Sequence, residues 1–589
     1  MRREYPRKEL ERKSFISLNG EWDFAFDFAQ EFLSYYPHFN HTTKPTLEFS
    51  PVFDRKINVP FVPECELSGI GHRGFINACW YRRKIKVKFN ENERVIINFE
   101  AVFHTSHLYV NHHLVGSHRG GYTPFSFDIT DFLDENGVGE IVLHVLCDAR
   151  DETMPSGKQS HTLKPLGCFY ERCSGIWAPV WLEIVPITYL KSIYYKSDVP
   201  NKTINLILEI ENPSEGFVAV DVYFNQRKVG SSKMKLLDQK EMIVPVSLSE
   251  IILWNPGEGN LYQVQINLSD VDDVSSYFGL RELVLDQYGL IINGKRVYQR
   301  LVLDQGYYPK GMYTAEDETD FIKQIQIALD MGFNGARLHQ KLFDRTFLYH
   351  ADRMGYMVWG EYPSWGFDYA SDRAYAIFAP EWKEAILRDR NHPAIIGWCP
   401  MNENWALFGK RQNDRFVRDM YLLTKFLDPT RPCIDVSWNY HVMTDIYDVH
   451  DYAQGETFAE HQRQFEEGKI WDSFWKEQKP YEGEPYFVSE YGGLKWPDSL
   501  DGWGYNGPNK ITSEEDFVNR FQAFHDVMYQ NPRICASCYT QLYDVQQECN
   551  GLYYYNKETK FSKETIKKIK AIVSQKTAYE KIPLALGGK

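Results

Sequence analysis

Over the first third of the chain, apolar and polar positions alternate with a period of two. The runs "KIKVKF", "RVIINFEA", "SHLYVNHHLVG", "EIVLHVLCDA" and "PVWLEIVP" lie between Leu18 and Pro186, separated by turn-forming residues. Such alternation predicts half-buried antiparallel strands, and several in succession predict a β-sandwich. It continues from Lys191 to Leu280 in "TINLILEIE", "VAVDVYF", "MIVPVSL" and "YQVQINLSD", enough for a second, smaller sandwich. After "GLRELVLDQYGLIINGKRVYQR" the rhythm changes to apolar runs separated by helical stretches, the pattern of parallel β/α units. Eight such runs follow: "VYQRLVLDQG", "GFNGARLH", "GYMVWGEYP", "AIIGWCPMNE", "CIDVSW", "IYDVHDY", "YFVSEYGG" and "ICASCYTQLYD". Between the first two, "AEDETDFIKQIQIALDMGFN" has acidic residues in its first turn and apolar residues at helical spacing. Eight strands separated by helices predict a TIM (β/α)8 barrel. The expected division is a sandwich over 1–186, a second sandwich over 187–284 and a barrel over 285–589.

Composition narrows the partners. A chain of 589 residues is too long for one core, which agrees with several domains. A net charge of -14 without a basic run excludes a nucleic-acid polyanion as the expected partner. The opening "MRREYPRKELERKSF" lacks the apolar core of a secretory signal, and no run of about 18 apolar residues occurs, so a cytoplasmic protein without membrane contact is expected. The ten cysteines are scattered through apolar runs, as reduced core thiols would be. Cys535 and Cys538 have CxxC spacing, but there is no second pair to complete a zinc site. Aromatic residues reach 15%, with 15 Trp, 38 Tyr and 37 Phe, which suits large cores first and sugar-stacking surfaces second.

In a TIM barrel the chemistry sits at the C-terminal ends of the strands. Glu403, in "NHPAIIGWCPMNEN", ends the fourth run, and Glu490, in "PYFVSEYGG", ends the seventh. Both ends open into one pocket, so the two carboxylates converge. A carboxylate pair is what glycoside hydrolysis needs: one group protonates the leaving oxygen while the other, ionised, attacks the anomeric carbon. Either Glu alone would be an ordinary ion-paired rim residue.

These two segments resemble glycoside hydrolase family 2, the family of the β-galactosidases and β-glucuronidases. "LNGEWDF", "FEAVFHTSHLYVNHHLVGSHRGGYTPFSFDIT" and "SGIWAPVWLE" are similar to its sugar-binding sandwich, and "GFNGARLHQKLFDRTFLYHADRMGYMVWGEYP" is similar to its barrel. The resemblance implies a jelly-roll sugar-binding β-sandwich, an immunoglobulin-like β-sandwich and a C-terminal TIM barrel, in the order that the strand pattern suggests independently. It implies retention of anomeric configuration, with Glu403 as general acid/base, Glu490 as nucleophile and carboxyl groups roughly 5 to 5.5 Å apart. Asn402 resembles the Asn that bonds the sugar 2-hydroxyl. Arg337 matches an Arg that keeps the nucleophile ionised, and Tyr452 a Tyr whose hydroxyl lies beside it. His339 departs from the pattern, since "RLH" has one residue between Arg and His where the family usually has two.

Other positions at strand ends complete the expected site. Asp304, in "LVLDQGYYP", is expected to bind sugar hydroxyls or else to cap the following loop. Trp438 and Tyr539 are expected to offer an apolar face to the sugar ring, and His450 and Asp451 are expected either to offer further polar groups or to take core or loop roles. The aromatic-rich segments "PSWGFDYASDRAYAIFAPEW" and "AQGETFAEHQRQFEEGKIWDSFWKEQKPYEGE" are expected to wall the leaving-group side. No metal and no organic cofactor is expected, and a homo-oligomer is a general prior for such chains.

For a glucuronidase the resemblance implies an Asn-x-Lys motif that receives the sugar carboxylate. The corresponding stretch here is "QQECNGLYYYN", which places Glu548, Cys549 and Asn550 at that point and has no Lys. The expected substrate is therefore a neutral terminal sugar, first a β-D-galactoside, with glucuronide, glucoside, xyloside and arabinoside as alternatives. A noncatalytic carbohydrate-binding protein would require both carboxylates to be vestigial.

Overall fold

The structure, a computed structural model, describes residues 2, 4–30, 51–404, 406–407, 410–438, 440–467, 469–472, 477–496, 502–505 and 510–584. The first domain is a sandwich of a six-stranded sheet (Arg55–Val59, Gly20–Phe26, Ala78–Lys86, Val138–Leu146, Thr105–Val110, His113–Arg119) on a four-stranded one (Phe15–Ser17, Val180–Pro186, Glu93–Phe99, Phe125–Asp128). The second packs three strands on four around its own core. Its strand Thr203–Glu211 shows how the pattern acts: Ile204, Leu206, Leu208 and Ile210 are buried while the residues between them are half-exposed. Each such burial stabilises by about 1.5–3 kcal/mol.

The eight candidate runs of the last domain all contribute strands: β1 (Gln299–Asp304), β2 (Gly335–Leu338), β3 (Met357–Glu361), β4 (Ile395–Cys399), β5 (Val436–Ser437), β6 (Tyr447–Asp451), β7 (Tyr486–Gly492) and β8 (Ile534–Thr540). Parallel pairing runs β4-β3-β2-β1-β8-β7-β6, and β5 joins the segment Met401–Asn402 that continues β4. Between β5 and β6 a side chain substitutes for the ladder. The Asp448 carboxylate of β6 accepts the Ser437 hydroxyl at 2.7 Å and the Trp438 N–H at 3.2 Å. The helix Glu318–Asp330 after β1 starts at Asp317, whose side chain accepts the Thr319 N–H, and buries Phe321, Gln324, Ile325, Ile327 and Ala328.

Most of the aromatic excess is core. Trp22, Trp80, Trp181, Trp254, Trp359, Trp382 and Trp398 are almost wholly buried. The ten cysteines are free thiols, eight of them buried. No helix among the described residues is long and apolar enough to cross a membrane.

The first sandwich is fixed over the barrel rim. The N–H groups of Ser156 and Gly157 both donate to the Trp365 carbonyl, at 2.8 and 2.9 Å. Gly157 has φ +59°, and a Cβ there would sit 2.6 Å from the Gln340 carbonyl oxygen, so only glycine lets this loop approach. Below it, the buried Arg345 guanidinium of the barrel is paired with Glu100 of the sandwich. The loop after Gly157 therefore overhangs the strand ends.

Candidate active site

Glu403 follows the extension of β4, where its backbone turns into the left-handed region at φ +51° and its N–H donates to the Ser437 carbonyl at 2.9 Å. Trp438, just past β5, does the same at φ +56°. Left-handed backbone at non-glycine residues is uncommon and concentrates where side chains are being aimed. Glu490 lies near the C-terminal end of β7, two residues before Gly492, and is buried. One donor atom each from Glu403, His450 and Glu490 lies within 4.8 Å of the others.

Arg337 organises this end of the barrel. Its Nε donates to Glu361 at 2.6 Å, Nη1 to the Ser489 carbonyl at 2.8 Å and to Glu490 at 3.2 Å, and Nη2 to the Asn402 side-chain oxygen at 3.1 Å. Burial disfavours its charge, but the Glu361 and Glu490 carboxylates more than restore it. One residue further on than the intervening Leu338, His339 has the same strand parity as Arg337 and turns Nδ1 to Glu361 at 3.1 Å. Its Nε2 faces Glu490 at 4.0 Å. Burial and then the Lys158 charge hold His339 far below the usual imidazole range, so it is neutral. The departure in spacing thus still delivers the imidazole to the pocket.

Asn402 is clamped through its backbone. Its N–H donates to the Ser364 hydroxyl at 3.0 Å and its carbonyl accepts the Trp365 indole N–H at 2.8 Å. With its side-chain oxygen on Arg337, the amide Nδ2 is buried without an acceptor among the described residues, as is the Trp438 indole nitrogen. The Tyr452 hydroxyl donates to Glu490 and its ring stacks on Tyr505 at 3.6 Å. Trp438 stacks over His450 at 5.3 Å. The two glutamates differ in access: the Glu403 side chain keeps 23% exposure and Glu490 only 4%.

Three residues expected at the site lie elsewhere. The Asp304 carboxylate is taken by the Gln324 amide at 2.7 and 2.8 Å, the Tyr543 hydroxyl at 2.8 Å and the Gly306 N–H at 3.0 Å. It caps the loop after β1 and faces the surrounding helix layer, so the capping alternative is the one realised. Tyr539 packs against Tyr491, Phe517 and Phe521 on the outside of β8, because its neighbours Cys538 and Thr540 have the inward parity. Asp451 is outward as well, bonded to His461 and Gln462. Of the two aromatic-rich segments, the first supplies Trp365 to the pocket. The second is a helix, Glu456–Arg463, continued by residues partly outside those described.

Two neighbours, Lys158 and His441, had no signal in the sequence. Lys158, from the overhanging sandwich loop, lies 4.0 Å from the Trp365 ring centre. Its ammonium makes no hydrogen bond or ion pair among the described residues, while its backbone carbonyl accepts the Tyr170 N–H at 2.7 Å. Burial disfavours its charge, but the surrounding Cys168, Glu548, Glu403 and Glu490 outweigh this and raise its pKa. Beside it, Glu548 accepts the Tyr170 hydroxyl at 2.5 Å and the Asn550 amide at 3.0 Å, and burial pushes its carboxyl up. Behind the pocket, His441 is held between Asp435 at 2.8 Å and Asp448 at 3.3 Å. Burial works against its charge, yet these acids raise it to about 10.

That shift gives a stability test. A raised folded pKa stabilises fully below the unfolded value of about 6.5, and the contribution is lost as pH rises through the folded value. The difference in Tm between wild type and His441→Gln is therefore expected to be largest below about pH 6.5 and to narrow up to about pH 10. Thermal melts across that window check it; a constant difference would contradict it.

Two sandwiches leading into a (β/α)8 barrel with a carboxylate pair at its C-terminal rim, one buried and one half-buried, define a multidomain barrel protein with a two-carboxylate centre. Residues 53–182 match the sugar binding domain of glycosyl hydrolases family 2, residues 188–281 its central domain and residues 286–504 its TIM barrel domain. The chain belongs to glycoside hydrolase family 2. It is 28% identical over 437 residues to a β-galactosidase of Thermoanaerobacter pseudethanolicus, covering 71% of this chain and 54% of that one. It is 24% identical over 586 residues to a β-glucuronidase of Felis catus, covering 89% and 84%. Among solved structures, a Bifidobacterium dentium β-glucuronidase complexed with coumarin-3-O-glucuronide superimposes with a TM-score of 0.77 at 18% identity, over 98% of this chain and 99% of that one. At that identity the likeness is one of fold. The chain spans about half the length of the galactosidase it matches.

Proposed function

We propose that the chain is a retaining exo-β-glycosidase that removes a terminal non-reducing sugar by double displacement. The observation that carries this reading is the approach of Glu403 and Glu490 to within 4.8 Å in unlike surroundings. Such a spacing suits a nucleophile and an acid/base on one anomeric centre and is shorter than the roughly 6.5–9.5 Å that an inverting pair needs to seat its attacking water beside the sugar. Glu490, enclosed by the Arg337 guanidinium and the Tyr452 hydroxyl, has the hydrogen-bond donors that would orient a nucleophilic carboxylate. Glu403, the more exposed, can meet a leaving group and then a water. The unpaired Asn402 amide nitrogen is placed to donate to a sugar hydroxyl, a bond that strengthens as charge develops on the ring.

For the sugar, the first reading is a neutral β-D-galactoside, supported by Glu548, Cys549 and Asn550 standing where a uronate-binding Asn-x-Lys would, so that the Lys is replaced by Asn550 and an acidic residue lies two positions before it. One observation favours a second reading, a β-uronide: Lys158 brings an ammonium without an ion pair to the same pocket from another domain. A panel of p-nitrophenyl β-galactoside, β-glucoside, β-xyloside, β-glucuronide, β-galacturonide and α-L-arabinoside, assayed with wild type and Lys158→Met, separates the two. Galactoside preference, unchanged in ratio by the substitution, upholds the first. Uronide preference that falls by about 100-fold in Lys158→Met upholds the second, since an unpaired buried carboxylate costs that much or more. Failure on every glycoside contradicts both.

A further inference from the structure

A buried chain of polar groups runs behind Glu403, and its hydrogen-bond directions can be read from one end to the other. Asp435 and Asp448 flank His441, whose raised pKa makes it an imidazolium. Burial works against the Asp448 charge, but His441 outweighs it and brings the carboxyl down to about 2. An ionised carboxylate only accepts. The Ser437 hydroxyl, 2.7 Å from Asp448 Oδ2, must therefore donate its single hydrogen there, as Ser489 also does. Ser437 Oγ is then an acceptor for the next group, His450 Nε2, at 3.0 Å. Nε2 carries a hydrogen, and in neutral His450 that leaves Nδ1 as a bare lone pair.

Nδ1 lies 2.8 Å from Glu403 Oε1. A lone pair and a carboxylate oxygen cannot approach so closely unless a proton lies between them. We propose that His450 is a positioning residue that holds the acid/base proton, so that the Glu403–His450 pair carries one proton on the line from Oε1 to Nδ1. This rests on the reading of Glu403 as acid/base. The pair is faced by Glu490 from β7, at 3.4 Å from Nδ1, by Asp448 through Ser437, by Arg337 and neutral His339 from β2, and by Lys158 from the sandwich loop. Trp438 covers the imidazole face and keeps water from it.

The step balances. The bond from C1 to the aglycone oxygen breaks as the Glu490 oxygen bonds to C1, and the pair's proton goes to the departing oxygen, leaving a Glu403 carboxylate and neutral His450. In the second half, water oxygen bonds to C1, the Glu490 ester bond breaks, and the proton lost by water returns to the pair. The barrel thereby keeps a proton beside a carboxyl that burial alone would push up but that His450 holds below the usual range.

The test uses the full chain labelled with 15N-histidine, free of ligand, in wild type and Glu403→Gln. The His450 resonances are those missing from His450→Asn, or, should that variant not fold, those displaced in Ser437→Ala. The expected result is an Nε2 that bears a hydrogen in both proteins, and an Nδ1 whose 15N shift moves toward that of a bare lone pair when Glu403→Gln removes the anion. A proton on Nδ1 with a bare Nε2, or an Nδ1 shift that does not move, would overturn the proposal. A kinetic arm separates it from a structural role. His450→Asn is expected to lose about 100-fold on an alkyl aglycone and under threefold on a dinitrophenyl aglycone, with no further loss in the Glu403→Gln background. Equal losses on both aglycones would overturn it. If no glycoside is turned over, the glycosidase reading fails, while the proton's location is still decided by the spectra.

Discussion

Replacing the proposed nucleophile, Glu490→Gly, is expected to lower kcat/KM by about 10⁴-fold or more, because it removes the atom that bonds to C1 and not merely a contact. The fold should survive the change. Arg337 loses one carboxylate but keeps Glu361 at 2.6 Å, the Ser489 carbonyl and Asn402, so no unpaired charge is left buried. The cavity opened beside Tyr452 is at the substrate face rather than in the core. Added azide should then attack C1 from the side that the carboxylate occupied and give a glycosyl azide of inverted, α configuration. Chromatography and NMR of that product check the assignment. A β-azide, or residual activity within tenfold of wild type, would show that Glu490 is not the attacking group.

Glu403→Ala is expected to behave differently, and the difference distinguishes acid/base from nucleophile. On an aglycone that needs a proton to leave, the loss should be about 10²- to 10⁴-fold. A dinitrophenyl aglycone leaves without one, so the first half-reaction should stay fast while the second, which needs a base, becomes limiting. A burst of dinitrophenol followed by slow turnover is the expected trace. Azide should accelerate that turnover and give the β-azide, since it enters where water would have. Equal losses on both aglycones without a burst would contradict the role.

Both sandwiches and the barrel were legible in the sequence because their signals are local. Period-two alternation marks strands such as Thr203–Glu211, and the switch to helical spacing after residue 285 marks the barrel. Much of the rim was legible for the same reason. Strand parity puts Arg337 and His339 on one face of β2, and the ends of β4, β6 and β7 bring Glu403, His450, Tyr452 and Glu490 together. The same rule, applied to β8, turns Tyr539 outward once Cys538 and Thr540 are recognised as inward. Asp304 is a different case, since whether a carboxylate at a strand end faces substrate or a helix depends on Gln324, which only packing reveals. Lys158 was illegible because it comes from a sandwich loop whose approach to the barrel depends on Gly157 and Trp365. The chain from Asp435 to His450 was equally hidden, since nothing in "CIDVSW" or "IYDVHDY" states which side chains share a proton.

The central claim is a retaining centre in which Glu490 forms the covalent bond. Incubation with a dinitrophenyl 2-deoxy-2-fluoro-β-glycoside of the sugar that wild type turns over fastest, followed by intact-mass and peptide mass spectrometry, tests it most directly. The account expects one fluoroglycosyl group per chain, on the peptide containing "YFVSEYGG" and at Glu490. A label on another residue, or no label together with a first-formed product of α configuration, would contradict it.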